Sequence, residues 1–142
     1  MALRADGTLW TWGYNIFGQL GLGTLASTNQ PVRVGTNANW RVVAAGGYHT
    51  AALRADGTLW AWGYNGNGQL GNGTFTEAKQ PVQAGTNTNW ETIAAGFVHT
   101  MALRADGTLW AWGGNADGQV AQPVPWLPYP VLGGAVWGPP RP

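Results

Sequence analysis

The stretch "LRADGTLWAWGYN" at Leu53–Asn65 is written almost identically at Leu3–Asn15 ("LRADGTLWTWGYN") and again at Leu103–Asn115 ("LRADGTLWAWGGN"). The spacing is 50 residues, and laying 1–50 over 51–100 without a gap leaves 32 of the 50 positions identical. Such a period marks a chain of repeated supersecondary units rather than one continuous core.

Outward from these words, four extended segments separate within a unit. Glu91–Gly96 ("ETIAAG") is short and apolar and His99–Ala105 ("HTMALRA") alternates, so both read as strands. Asp106-Gly107 is the strongest short hairpin signal, a two-residue type I′ turn that returns the chain through "TLWAWG" at 108–113. After a Gly- and Asn-rich loop (65–74), Gln80–Gly85 ("QPVQAG") supplies a fourth strand. Its Pro81 cannot donate to a ladder, which places that strand at a sheet edge. Four antiparallel strands with a Pro-bearing edge make one blade of a β-propeller.

A two-residue turn at Asp56-Gly57 sets Arg54 opposite Leu59 and Leu53 opposite Trp60. One face then carries Leu53, Trp60 and Trp62, and the other Ala52, Arg54, Leu59 and Ala61. The hairpin indoles of Trp10, Trp12, Trp60, Trp62, Trp110 and Trp112 offer about 150–250 Å² each. Their sum far exceeds the apolar patch a soluble monomer exposes. Blades are therefore expected to stack, the bulky face of one on the smaller face of the next.

Composition removes several function classes. Charged residues are only 9% of the chain, seven Lys and Arg against six Asp and Glu, so no basic patch exists to hold phosphates and nucleic acid is not expected as a partner. The 23 Gly, 9 Pro and 10 Trp favour turns and short strands over helices. Without Cys there is neither a disulfide framework nor thiolate chemistry. No run approaches the ~20 apolar residues of a membrane span, and no membrane partner is expected. "MALRADGTLW" is not a signal peptide, since Arg4 and Asp6 interrupt it. The compartment stays open; an extracellular or cell-surface place would need a longer parent chain.

"VAAGGYHTAALRADGTLWAWGYNGNGQLGNGT" (43–74) and "IAAGFVHTMALRADGTLWAWGGNADGQV" (93–120) resemble repeats of the regulator of chromosome condensation family. That family's pattern is a small-residue strand ending in Gly, two variable residues, His, a strand, an aromatic pair ending in Trp-Gly, Asn, and Gly-Gln-Leu-Gly-x-Gly. The resemblance runs from residue 1 to about 120 and implies a seven-bladed β-propeller. It further implies a protein-interaction scaffold, with two alternatives: a guanine-nucleotide exchange factor for a small GTPase, or a secreted enzyme inhibitor. Exchange would need a wedge inserted between strands, and 1–120 has no insertion. The high identity between the units resembles the family's bacterial members, whose partners vary.

The expected fold is thus all-β, an incomplete propeller of about two to three four-stranded blades: units 1–50 and 51–100, a partial unit 101–120, and a Pro-rich irregular tail 121–142. Met1 takes the mid-strand place of Met101, which reads as a fragment or an internal start. Ala121 replaces the Gly expected after Val120, and six Pro follow from 123 to 140. Within them Gln122-Pro123-Val124 echoes the edge strand. An arc with two uncovered sheet faces is expected to self-associate or to join further blades.

Recurring polar residues read as scaffold. His49 and His99 have no Cys, Asp or Glu within two residues at ligand spacing, so no metal is expected; each is assigned to satisfying backbone groups at a strand turn. Asp6, Asp56 and Asp106 are turn residues rather than acids or bases. Arg4, Arg54 and Arg104 form a row suited to pairing with the Asp two residues on, or to packing their stems across the blade. "GQLGLG" (18–23) and "GQLGNG" (68–73) lack the Lys and following helix of a phosphate loop, and no cofactor is expected. No nucleophile, base and orienting group converge, so no enzyme activity is expected. The positions that do not repeat lie in the connections, where binding residues usually sit. Among them Phe17, Tyr48, Phe75 and Phe97 are the candidate anchors for another protein.

Overall fold

Each unit of the sequence becomes one antiparallel sheet. The computed structural model describes residues 1–120 throughout and, of the remainder, the backbone of 126–132. The first sheet holds β1 (Ala2–Leu3), β2 (Leu9–Gly13) and β3 (Thr28–Arg33) in that order. The second runs β4 (Trp40–Ala45), β5 (His49–Arg54), β6 (Leu59–Gly63), β7 (Ala78–Gln83). The third runs β8 (Trp90–Ala95), β9 (His99–Arg104), β10 (Leu109–Gly114), β11 (Trp126–Leu132). All neighbours are antiparallel, and no helix occurs among the described residues.

Pro31 and Pro81 fall in β3 and β7, at sheet edges, as strands missing an N–H must. β11, with Pro128 and Pro130, obeys the same rule at the edge of the third sheet. That strand revises the tail: Trp126–Leu132, inside the stretch expected to be irregular, pairs with β10 and completes a third blade. The expected echo at Gln122-Pro123-Val124 lies outside the described residues.

The hairpin turn differs from the two-residue type I′ expectation. Arg54 N–H donates to the Thr58 carbonyl at 3.0 Å, and Gly57 N–H to the Arg54 carbonyl at 3.0 Å. The loop is therefore three residues, Ala55-Asp56-Gly57, the turn-plus-bulge solution with Gly57 left-handed at φ +79°. The Asp56 carboxylate explains the choice: Oδ1 accepts from Thr58 N–H at 3.0 Å and Thr58 Oγ1–H at 2.6 Å. One extra loop residue slips the register by one, pairing Leu53 with Leu59 and Ala52 with Trp60.

The slip redistributes the faces. Leu53 leaves the Trp face and joins Val42, Ala44, Ala51, Leu59 and Ala61 on an aliphatic one; Ala52 and Arg54 join Trp40, Trp60 and Trp62 on an aromatic one. Stacking of unlike faces holds with this revised membership. Leu9 and Val34 of the first blade bury Trp40, Ala52 and Trp62 of the second. Ala51, Leu53, Leu59 and Ala61 of the second likewise bury Trp90, Ala102 and Trp112 of the third. β4 lies against β8, and Arg41 spans the gap to the Trp90 carbonyl at 2.9 Å.

At the lower end of the blades, the hairpin turns of the first and second sheets support the connection leading to the next sheet. A Cβ on Gly57 would collide with the carbonyl of Thr88, whereas one on Gly107 meets nothing among the described residues. Gly107→Ala is expected to cost only the left-handed backbone, about 1–2 kcal/mol. Gly57→Ala adds displacement of the connection and is expected to cost about 3 kcal/mol or more. Urea denaturation of the two variants checks the ordering.

Candidate interaction surface

The upper end collects the loops after β2 and β6 and the turns β4–β5 and β8–β9. Buried Asn15 shapes the first loop: its Nδ2 donates to the carbonyls of Thr24 and Ala26, both at 2.9 Å, and its Oδ1 accepts from Leu20 N–H at 2.9 Å. Asn65 repeats the clamp on Thr74, Thr76 and Leu70. Side-chain Oε1 atoms of Gln19, Gln69 and Gln119 hold Phe17, Asn67 and Asp117 N–H. These clamps, rather than glycine flexibility alone, fix the loops.

The same loops lock neighbouring blades. The Gln19 carbonyl accepts from Trp62 Nε1–H at 3.0 Å and Thr50 Oγ1–H at 2.9 Å. The Gln69 carbonyl accepts from Trp112 Nε1–H at 3.0 Å and Thr100 Oγ1–H at 2.8 Å. Gly21 and Gly71 lie under these indoles, where a Cβ would come within 2.7 and 2.5 Å of Nε1. The Gly-Gln-Leu-Gly run is the socket for the next blade's Trp.

On this frame Phe17 packs edge-on against Tyr48 with centroids 5.2 Å apart, and Tyr48 against Phe97 at 5.5 Å. Phe17 also meets Tyr64 at 5.0 Å, extending the row to Tyr64–Phe17–Tyr48–Phe97. Phe97 is 64% exposed, and the other three are partly exposed. Three of the four sequence candidates thus converge; Phe75, 47% exposed, lies further along the β6–β7 loop that carries Tyr64 and has no ring contact to them among the described residues. Tyr64 was missed because Tyr14 repeats it, and recurrence reads as scaffold. The departures at unrepeated positions supply the other three rings.

Beneath the row lies His49, 1% exposed, with Nε2 2.9 Å from Thr100 Oγ1 in the next blade. That corrects its assignment to backbone groups. Because the Thr100 hydroxyl donates to the Gln69 carbonyl, its oxygen accepts, so His49 carries its proton on Nε2. Nδ1 is buried without a partner. Burial, helped by the nearby His99, pushes the His49 pKa down to about 4, and burial lowers His99 as well. His49 is a neutral interblade pin.

The other recurring polar residues are structural too. Trp60 Nε1–H donates to Thr58 Oγ1 at 2.8 Å, which donates to Asp56; the Thr58 bonds to that carboxylate hold its pKa below the usual value. Asp6 and Asp106 repeat the relay. Arg54 lies between indoles, 3.7 Å from the Trp60 centroid and 4.8 Å from that of Trp40, and Arg104 copies it. Arg4, without an inner-strand Trp beside it, is 3.9 Å from Asp6 instead. Among the described residues no three His, Asp or Glu side chains are grouped to hold a metal.

Between pH 6.5 and about 4 the unfolded chain binds a proton at His49 that the folded chain refuses. Stability therefore falls as pH falls through that window, by about 3 kcal/mol in all. His49→Gln keeps a donor for Thr100 and should flatten most of this dependence; urea midpoints between pH 7 and 4 check it.

Profiles of the regulator of chromosome condensation (RCC1) repeat match residues 6–53 and 56–103, and a second profile of that repeat matches 40–69 and 90–119. Among solved structures, yeast RCC1 (Prp20) bound to Kap60 is 25% identical with a TM-score of 0.84, over 95% of this chain and 35% of its own. Prp20p from Saccharomyces cerevisiae, described with its binding to Gsp1p and histones, is 25% identical with a TM-score of 0.85, over 95% of this chain and 36% of its own. Human WBSCR16 shares the fold at 23% identity and a TM-score of 0.81, over 92% of this chain and 35% of its own. The chain thus spans about a third of the length of these structures. No curated protein matches it in sequence.

Proposed function

The chain belongs to the regulator of chromosome condensation repeat family, and from that premise we propose that it is a protein-interaction scaffold with no chemistry of its own, engaging another protein through its upper loops. The observation that carries the reading is the Tyr64–Phe17–Tyr48–Phe97 row: contiguous rings, accessible to a partner, three at positions the scaffold does not dictate. Aromatic side chains bring large contact area at little entropic cost, which is why they dominate interface hot spots. The clamps on Asn15, Asn65 and the Gln Oε1 atoms preorganise the row, so binding need not order it. Phe75 serves as a separate, peripheral contact. Protein partners are in keeping with Prp20, which is seen with Kap60 and binds Gsp1p and histones.

Gsp1p and histones are the first probes, by surface plasmon resonance on the immobilised chain. For the partner that binds, Tyr48→Ala and Phe97→Ala are each expected to cost about 2 kcal/mol, roughly 30-fold in affinity. Phe75→Ala should cost less than about threefold. Unchanged affinity in the row variants, with thermal unfolding intact, would remove the row from the interface. Nucleotide release from a small GTPase tests the exchange alternative; acceleration by this chain would favour exchange over a plain scaffold.

A further inference from the structure

The joint between the first and second blades holds, besides its indole lock, a cleft of about 320 Å³ bordered by the edge strands β3 and β7. Val32, Val34 and Leu22 of the first blade and Pro81 of the second give it apolar walls, and among the described residues its only charged lining is Arg33 and Arg54. The indoles of Trp60 and Trp40 lie against the Arg54 guanidinium, 3.7 and 4.8 Å from ring centroid to Cζ, so further recognition falls to its N–H edge. Among the described residues that edge makes no hydrogen bond or ion pair, and Arg54 Nε–H and Trp40 Nε1–H are buried without partners. Burial works against the Arg54 charge, and Asp56, whose Oδ1 is taken by Thr58, offsets this only in part. Asp6, in the field of Arg33, is likewise held by Thr8. Trp40 and Arg54 recur as Trp90 and Arg104, but Arg33 stands where the next unit has Gln83, so the scaffold does not dictate this second cation. Its Nη2 donates to the Thr36 and Asn37 carbonyls at 2.8 and 3.4 Å, which fixes it beside the cleft.

We propose that this cleft binds a carboxylate carried on a short aliphatic arm, the N–H edge of Arg54 taking the carboxylate oxygens, Arg33 adding its charge, and the arm lying against Val32, Val34 and Pro81. A planar guanidinium fork held by indoles is preorganised for a carboxylate, which it can meet with two parallel hydrogen bonds. The walls decide between anions. A phosphate would turn its remaining oxygens toward apolar side chains, whereas an alkyl arm gains by covering them. The volume lies at the small end of ligand sites, enough for one acidic side chain or chain end. Arg33 and Arg54 belong to different sheets, so a bound carboxylate also ties the two blades together. The cleft shares no residue with the Tyr64–Phe17–Tyr48–Phe97 row, and each site can fail without the other.

Titration of the full chain with sodium isobutyrate at neutral pH, ionic strength held constant with chloride, tests this by NMR of the Arg Nε–H and indole Nε1–H resonances. Arg54 Nε–H and Trp40 Nε1–H are expected to shift saturably, with a Kd of about 10 mM or tighter. Isobutyramide, of the same shape without the charge, and inorganic phosphate should each bind about tenfold more weakly or worse. Arg33→Gln, at an exposed position, should weaken isobutyrate about threefold or more, and Arg54→Lys, which keeps the charge but loses the fork, about tenfold or more. Near-UV circular dichroism checks that both variants stay folded. N-acetylvaline and N-acetylglutamate N-methylamide present the carboxylate as a chain end and as a side chain, and the tighter of the two identifies its source. Absence of a saturable shift, a response to isobutyramide or phosphate as strong as that to isobutyrate, or unchanged affinity in the folded variants would overturn the proposal.

Discussion

Everything in this molecule depends on an indole entering the neighbouring blade and finding a carbonyl there. A Trp buried against aliphatic side chains gains from area alone, but its N–H then has to be satisfied, since an orphaned buried donor costs about 1–3 kcal/mol. Trp62 and Trp112 resolve this on the Gln19 and Gln69 carbonyls, each reached over a glycine. The hydrophobic gain makes blades stack; the hydrogen bond and the glycine socket make them stack in one position. The His49–Thr100 pin belongs to the same joint, because Thr100 shares the Gln69 carbonyl with Trp112.

This coupling explains the division between what recurs and what varies. A residue at a joint is constrained by two blades at once, so Trp-Gly and Gly-Gln recur through the units, while Asp-Gly-Thr and Asn recur because each closes its own hairpin or loop. Ile16-Phe17, Gly47-Tyr48 and Phe97-Val98 lie above the joint and are free to differ. The clamps still hold them in fixed places, and rigid support under variable side chains is what an interaction surface requires. The aromatic row crosses both joints, through Phe17 against Tyr48 and Tyr64 and through Tyr48 against Phe97, so its geometry depends on all three blades staying docked.

Much of the fold was legible before any coordinate. The 50-residue period, the four extended segments, the edge role of Pro81 and the need for unlike faces to meet all follow from pattern and area. The register was not. Asp-Gly is compatible with a two-residue turn and with a three-residue loop, and the choice rests on the Asp56 carboxylate capturing Thr58. That one local hydrogen-bond pair moved Leu53 to the opposite face. The site was legible only in part. Phe17, Tyr48 and Phe97 stood out because they differ between units, whereas Tyr64 was hidden by its repetition, and the Gln19 carbonyl carries no side-chain signal at all. Trp126–Leu132 escaped because its prolines look like disorder until a neighbouring edge gives them a place.

The interblade hydrogen bond can be observed directly, through hydrogen exchange of the indole Nε1–H protons by NMR at dilute concentration. If the joints hold the blades, Trp62 and Trp112 exchange only through global opening, far more slowly than Trp12. Exchange of all three at the rate of a free indole would contradict the central role given to the joint.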